Sequence, residues 1–248
     1  MRNVPALLRR ELSAYFASVL GYVVLMFFLI VMGVTFAVVV NFLSSRGPTQ
    51  MTAMVILFRM FWLPALVVIP AITMRLLAEE KRAGTLEMLM TAPVTDFEVV
   101  LAKWLGAVVL YALMWGLTVF YVLILKHFSG GTAVLDLGPI AAGYIGVLVI
   151  GQFLIALGLL SSSLTKNQVA AALMSFALIF LCVIVLNWLS FLFQGGVMGS
   201  ICRAVSAFEH IEDFGRGIVD LRPLVLYGIG TAVALFITTR AVESRKWR

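Results

Sequence analysis

Residues 19–42 read VLGYVVLMFFLIVMGVTFAVVVNF and contain no Asp, Glu, Lys, Arg or His. At about 1.5 Å of rise per residue, a helix of this length is roughly 36 Å long. The hydrocarbon core of a bilayer is about 30 Å thick, so this run is long enough to cross it. Similar apolar runs recur along the 248 residues, of which 62% are hydrophobic and 12% charged. A water-soluble domain usually carries about 25% charged residues. A chain of this length could not hide so much apolar surface in water, so the bilayer is part of its solvent. Within lipid the backbone must satisfy its own hydrogen bonds, which leaves helices or a closed barrel. The runs lack the period-2 alternation of barrel strands, and helices follow. The first run is too long for a cleaved leader and no small-residue cleavage site follows it. Cys182 and Cys202 do not suggest a disulfide framework: Cys182 lies in an apolar run and Cys202 in a loop, and free thiols are expected.

The fold class is therefore all-α integral membrane, with six spans expected at about 19–42, 54–74, 97–125, 139–164, 168–193 and 222–240. One domain, 1–248, is expected. The polar breaks alternate between the two faces of the membrane. With the N-terminus inside, twelve of the eighteen Lys and Arg fall on the inner face, including Arg9, Arg10, Arg75, Lys81, Arg82, Lys103 and the cluster Arg240 to Arg248. The positive-inside bias then puts both termini in the cytoplasm. Inner-leaflet anchoring also explains the net charge of +6 without nucleic acid. Residues 3–16 form an amphipathic pattern along the inner surface, with Val4, Leu8, Leu12 and Tyr15 on one side and Arg9 and Ser13 opposite. Glu11 breaks that pattern and calls for a partner such as Arg10 or another inner-face residue.

The inner connection after span two runs Glu79-Glu80-Lys81-Arg82-x-Gly84-Thr85-Leu86-Glu87-x-Leu89-x-x-x-Pro93. Gly84 allows the backbone to turn and Thr85 is placed to cap a short helix. Leu86, Leu89 and Met90 share one face of that helix, and Pro93 ends it. Thr95-Asp96-Phe97-Glu98 has the form of a capping box for span three. A short helix fixed between two spans, with apolar knobs and a charged rim, suits a groove on a cytosolic partner. An amphipathic connector resting on lipid is the plain alternative from spacing alone.

This string resembles the coupling-helix region of ABC-2-type permeases. Further resemblances follow in order along the chain: Arg10-Glu11-Leu12-x-Ala14-Tyr15-Phe16; Ser162-Ser163-Leu164-Thr165-Lys166-Asn167-Gln168; Phe208-Glu209-His210 with Phe214-x-Arg216-Gly217-x-x-Asp220-Leu221; and Glu243-Ser244-Arg245-x-Trp247. Together they resemble the subgroup of gliding-motility-associated and nitrous-oxide-reductase-maturation permeases. Ser18-Val19 stands where that subgroup often has Ser-Pro. The resemblance implies an inner-membrane assembly of two permeases, either two copies or a copy and a paralogue, with a cytosolic ABC ATPase dimer that binds ATP and magnesium. It implies that Glu79, Glu80, Gly84, Thr85, Leu86, Glu87 and Leu89 lie at or near the ATPase joint. It also allows a periplasmic auxiliary subunit, with the chain either exporting a substrate or passing force to that subunit.

No phosphate-binding loop of the Gly-x-x-x-x-Gly-Lys-Ser/Thr type is present, so ATP hydrolysis is expected in a separate subunit and no cofactor in this chain. Neither His-Glu-x-x-His nor Gly-x-Ser-x-Gly occurs, no catalytic residue is assigned, and His127 and His210 do not make a metal set. Arg59, which lies within span two, reads either as a residue snorkelling to the outer surface or as part of an outer vestibule. There it could attract an anionic cargo or pair with an acid of the outer segment. Gln152, Asn187 and Asn41 suit interhelical hydrogen bonds, Pro64 and Pro70 suit kinks in span two, and Gly143, Gly146, Gly151 and Gly158 suit close packing of span four. The segment 195–221 reads as one or two interfacial or re-entrant helices, with Phe208, Ile211, Phe214 and Ile218 at helical spacing. Arg59, Phe208 and Phe214 are candidates for an outer gate. A membrane scaffold without energy coupling is the competing function.

Overall fold

The computed structural model describes residues 3–46, 53–84, 95–128, 136–193 and 196–244. Their elements are helical: α1 (Val4–Ala17), α2 (Val19–Arg46), α3 (Ala53–Arg59), α4 (Trp62–Thr73), α5 (Ala78–Ala83), α6 (Asp96–Leu117), α7 (Val119–Phe128), α8 (Leu137–Leu164), α9 (Gln168–Phe180), a π turn (Leu181–Val185), α10 (Leu186–Leu192), α11 (Val197–Val205), α12 (Ala207–Gly215) and α13 (Leu221–Glu243). Six helical runs are long and apolar enough to cross a membrane: Val19–Ser45, Trp62–Ala83, Asp96–His127, Leu137–Leu164, Gln168–Leu192 and Leu221–Glu243. The chain is a multi-pass membrane protein of the class read from its sequence.

Span two departs most from the expected bounds. The helix from residue 54 breaks at Met60–Phe61, and the crossing run starts at Trp62 and extends to Ala83. The break lies one turn before Pro64, whose ring crowds the carbonyl of Met60 and leaves it without the usual donor. The amide of Leu63 donates to that carbonyl instead, at 3.1 Å. Pro70, expected to kink the span as well, sits inside α4 without a break.

Span four, α8, is the hub. It packs against α3, α4, α6, α9, α12 and α13. Its glycines make this possible. A Cβ on Gly143 would lie 2.3 Å from the Phe58 ring, on Gly146 2.8 Å from Phe214, on Gly151 2.1 Å from Tyr111 and on Gly158 2.4 Å from Thr73. Each glycine is thus a socket for one large or branched neighbour.

Two irregularities were not foreseen. Span three is interrupted at Thr118, whose hydroxyl donates back to the Trp115 carbonyl at 2.6 Å, a local bond that competes with the helical ladder. In span five the buried residues Ala171, Ser175, Ile179 and Val183 recur every fourth position. That spacing overshoots a turn of about 3.6 residues, and the wider π turn at 181–185 takes up the drift.

Candidate coupling site and opposing lid

The base of the bundle carries α1, α5 and the start of α6. α5 continues span two into the charged cluster and ends at Gly84, whose φ of +73° is the left-handed cap that a side chain would strain. Thr85, Leu86, Glu87 and Leu89, expected at the ATPase joint, lie outside the described residues. The chain is described again at Thr95, where the capping box is present. The Glu98 amide donates to Thr95 Oγ1 at 3.3 Å, and the Thr95 amide donates to Glu98 Oε2 at 3.2 Å. Both ends of the connection 85–94 are therefore fixed by local backbone chemistry.

α5 is also tied sideways. The amides of Leu77 and Ala78 donate to Ser162 Oγ at 3.1 and 3.0 Å, and that hydroxyl donates to the Met74 carbonyl at 3.2 Å. Lys81 is buried and donates to the backbone carbonyl of Ser163. The Ser162-Ser163 pair thus anchors the foot of span two to span four.

The strongest feature of the base is a ring of four charges. Lys103 Nζ lies 3.1 Å from Glu11 Oε1 and 2.8 Å from Glu80 Oε1, while Arg10 Nη2 lies 3.1 and 3.3 Å from the same two oxygens. Lys103 itself is only 3% exposed. It is two turns into α6, so its charge is tolerable there only because carboxylates from α1 and α5 converge on it. Glu11, the residue that spoiled the amphipathic pattern of α1, is explained: its side chain faces α6 across Gly106, where a Cβ would come 3.2 Å from Glu11 Cβ. α1 packs on span three along this face, while Arg9 and Ser13 point away from it, as their spacing indicated. Tyr15 adds a bond from its hydroxyl to the Ile72 carbonyl at 3.3 Å. Burial first, and the Glu11 charge second, push that hydroxyl far above its ordinary range, so it remains a neutral donor. Glu79, by contrast, is exposed and pairs loosely with Arg75 at 4.0 Å. The sequence marked Glu80 and Glu11 but not Lys103, which read as one more inner-face cation. Its position seven residues into an apolar run was the available signal.

At the opposite end, the segment before span six forms α11 and α12. The buried face of α12 is Ala207, His210, Ile211 and Phe214. Phe208 is partly buried, its ring 6.5 Å from that of Phe61 and 6.4 Å from that of Trp62. Ile218, expected on the same stripe, lies past the helix end and is exposed. Cys202, expected in a loop, is buried in α11. Phe214 fills the Gly146 socket. Arg59 closes α3 and pairs with Glu212 at 3.5 Å, with Arg216 on the other oxygen of the same carboxylate. Of the roles expected of it, the structure shows the pairing with an acid of the segment before span six. His210 Nδ1 is 2.8 Å from the Tyr227 hydroxyl of α13. Burial pulls this imidazole below its ordinary range, with Asp213 and Asp220 opposing. Nearby, Ser206 Oγ donates to Asn187 Oδ1 at 3.5 Å, one of the interhelical bonds expected of that asparagine. The indole of Trp104 donates to the backbone carbonyl of Gln152 at 3.0 Å. Among the described residues no group of three or more His, Cys, Asp or Glu is placed to hold a metal ion.

No curated protein matches the chain. The family model described as ABC-2 family transporter protein matches residues 63–197, which is more than half of it and includes all of α4 but its first residue, the charged α5, the connection to α6 and the whole of the hub span. With six membrane-crossing helices around that matched core, the chain belongs to the ABC-2 transporter family and is a transmembrane permease subunit of an ABC transporter.

Proposed function

We propose that the chain acts as a single membrane domain in which residues 79–89 receive the movement of a separate ABC ATPase dimer, binding ATP and magnesium, and pass it to the spans. The observation that carries this reading is the fixing of the connection 85–94 at both ends, by the Gly84 cap and the Thr95 capping box, above a base in which α5 is clamped to α1, α6 and α8. A load delivered at Gly84 or at Thr95 enters α5 or α6 directly, and so reaches spans two, three and four. Glu79, Glu80, Gly84, Thr85, Leu86, Glu87 and Leu89 form the docking surface in this reading, and none of them performs chemistry. The positive residues around the base favour the cytoplasm for that end and for both termini, in a bacterial inner membrane.

The order of motifs supports the gliding-motility and nitrous-oxide-reductase-maturation subgroup, with a second permease, copy or paralogue, completing the pathway. The output is then export or force passed to a periplasmic subunit through the α11–α12 lid, with Arg59, Phe208 and Phe214 as its gate. The test is copurification of the full-length permease, expressed in its native host, with an ABC ATPase. Replacing Leu86 and Leu89 together by Asp is expected to abolish copurification while the permease remains folded. An intact complex in that variant would overturn the docking surface and favour a scaffold.

A further inference from the structure

A cavity of about 540 Å³ opens at the base between α1, α2, α4 and α6. Its two ends differ. One is apolar, walled by Leu20, Val24, Ala71 and Leu110. The other is charged, formed by the ion ring together with Arg75 and Glu79. The cavity lies where the chain passes from α1 into the apolar run of α2 at Ser18–Val19, hence at the level where a bilayer's headgroups give way to its acyl chains. An amphiphile is the ligand shape that such a place supplies and such a lining fits.

The charges narrow the class. Arg10, Arg75 and Lys103 are balanced by Glu11, Glu79 and Glu80, so the lining has no net charge and does not favour an anionic headgroup over a zwitterionic one. Four of these six close on one another in the ring. The Arg75–Glu79 pair does not: it is 4.0 Å apart with side chains 43% and 51% exposed, and an ion pair of that kind contributes little by itself. Its two members can part to hold opposite charges of one ligand. Guanidinium suits a phosphate, and a carboxylate suits a primary ammonium.

We propose that this cavity is a binding site for one glycerophospholipid with a phosphoethanolamine headgroup, drawn from the leaflet that faces the base. The phosphate sits on Arg75, the ammonium on Glu79, and the start of one acyl chain lies along Leu20, Val24, Ala71 and Leu110. The rest of the lipid stays in the bilayer. The site shares Glu79 with the proposed docking surface, so it is tested on the permease without an ATPase, and the lipid would brace α1 against span two from the side that the ion ring leaves open.

The test uses the full-length permease in nanodiscs of phosphatidylcholine containing either phosphatidylethanolamine or phosphatidylglycerol, followed by native mass spectrometry of retained lipid. Wild type is expected to keep one phosphatidylethanolamine per chain. Ala71→Trp, which fills the apolar wall, and the double variant Arg75→Ala with Glu79→Ala are each expected to retain it at least tenfold less. The second variant alters exposed groups and keeps the test valid if the first fails to fold. Leu173→Trp, on an exposed face away from the cavity, is expected to retain it as wild type does. Equal retention in the Arg75/Glu79 variant, preference for phosphatidylglycerol, or no retained lipid in wild type would overturn the proposal.

Discussion

The two ends of the bundle are closed by different physics. At the base, α5 is held by a ring of ions around a buried lysine and by backbone bonds to Ser162. At the opposite end, α12 is held by Phe214 in a glycine socket, by aromatic contacts of Phe208, and by ion and hydrogen bonds at its edges. Buried ionic contacts are directional and fail abruptly when one partner is lost. Apolar packing is less directional, so a lid seated by it can part from the bundle as a unit. Under the proposed function, the difference fits a base that transmits movement and a lid that responds to it.

The largest effect that would expose this difference is expected at Lys103. Lys103→Met removes the buried cation and leaves Glu11 and Glu80 with only the half-exposed Arg10 between them, and a loss of about 3 kcal/mol is expected. Thermal unfolding of the purified permease reads this, and adding Glu80→Gln should restore part of it. A Lys103→Met protein as stable as wild type would mean that the ring bears no load.

Next is Phe214→Ala, which empties the Gly146 socket at a cost of about 3 kcal/mol, or less if the site collapses. Here the damage is expected to stay local. Cys202, buried in α11, should become reactive to maleimide at least several times faster, while α5 keeps its hydrogen-exchange protection. Equal loosening at both ends would erase the contrast.

A smaller effect comes from pH. Burial lowers the His210 pKa in the fold, so the lid binds that proton less readily than the unfolded segment does. Its contribution is complete above the ordinary histidine value of about 6.5 and is lost as pH falls below it. Glu209 is shifted oppositely: burial raises it, with Asp213 and Glu212 adding and Arg203 opposing. Its contribution is complete at acid pH and is lost as pH rises above the ordinary glutamate range. A Glu209→Gln background isolates the histidine. In it, exchange across 207–215, corrected for intrinsic rates, should accelerate a few-fold between pH 7.5 and 5.5, and adding His210→Gln should remove that dependence. Least of all, Arg59→Ala should cost no more than about 1 kcal/mol, because both partners of its ion pair are partly exposed. A larger loss in thermal unfolding would make the lid electrostatic after all.

The membrane class, the number of spans, the Gly84 turn, the Thr95 capping box and the packing role of the span-four glycines were legible because each is set by local composition or by a few adjacent residues. The ion ring was not, because Glu11, Glu80 and Lys103 are far apart in sequence and meet only when α1 crosses α6. Glu11 was visible as an exception to a pattern, and its partner was invisible. The buried face of α12 was misjudged by a fraction of a turn, since Phe208 and Ile218 fit a stripe that ends before Ile218. In span two Pro64 was read correctly as disruptive and Pro70 was not, and the disruption falls on the turn before Pro64, where the carbonyl of Met60 loses its usual donor.

The sockets of span four bear on how relatives of this chain can diverge. Gly143, Gly146, Gly151 and Gly158 each accommodate a different neighbour, Phe58, Phe214, Tyr111 and Thr73. Enlarging one glycine is tolerable only if its own partner shrinks, while the other three pairs are untouched. Substitutions along this helix should therefore be inherited as four separate couples, so that the lid, the base and the middle of the bundle drift at independent rates around a shared axis.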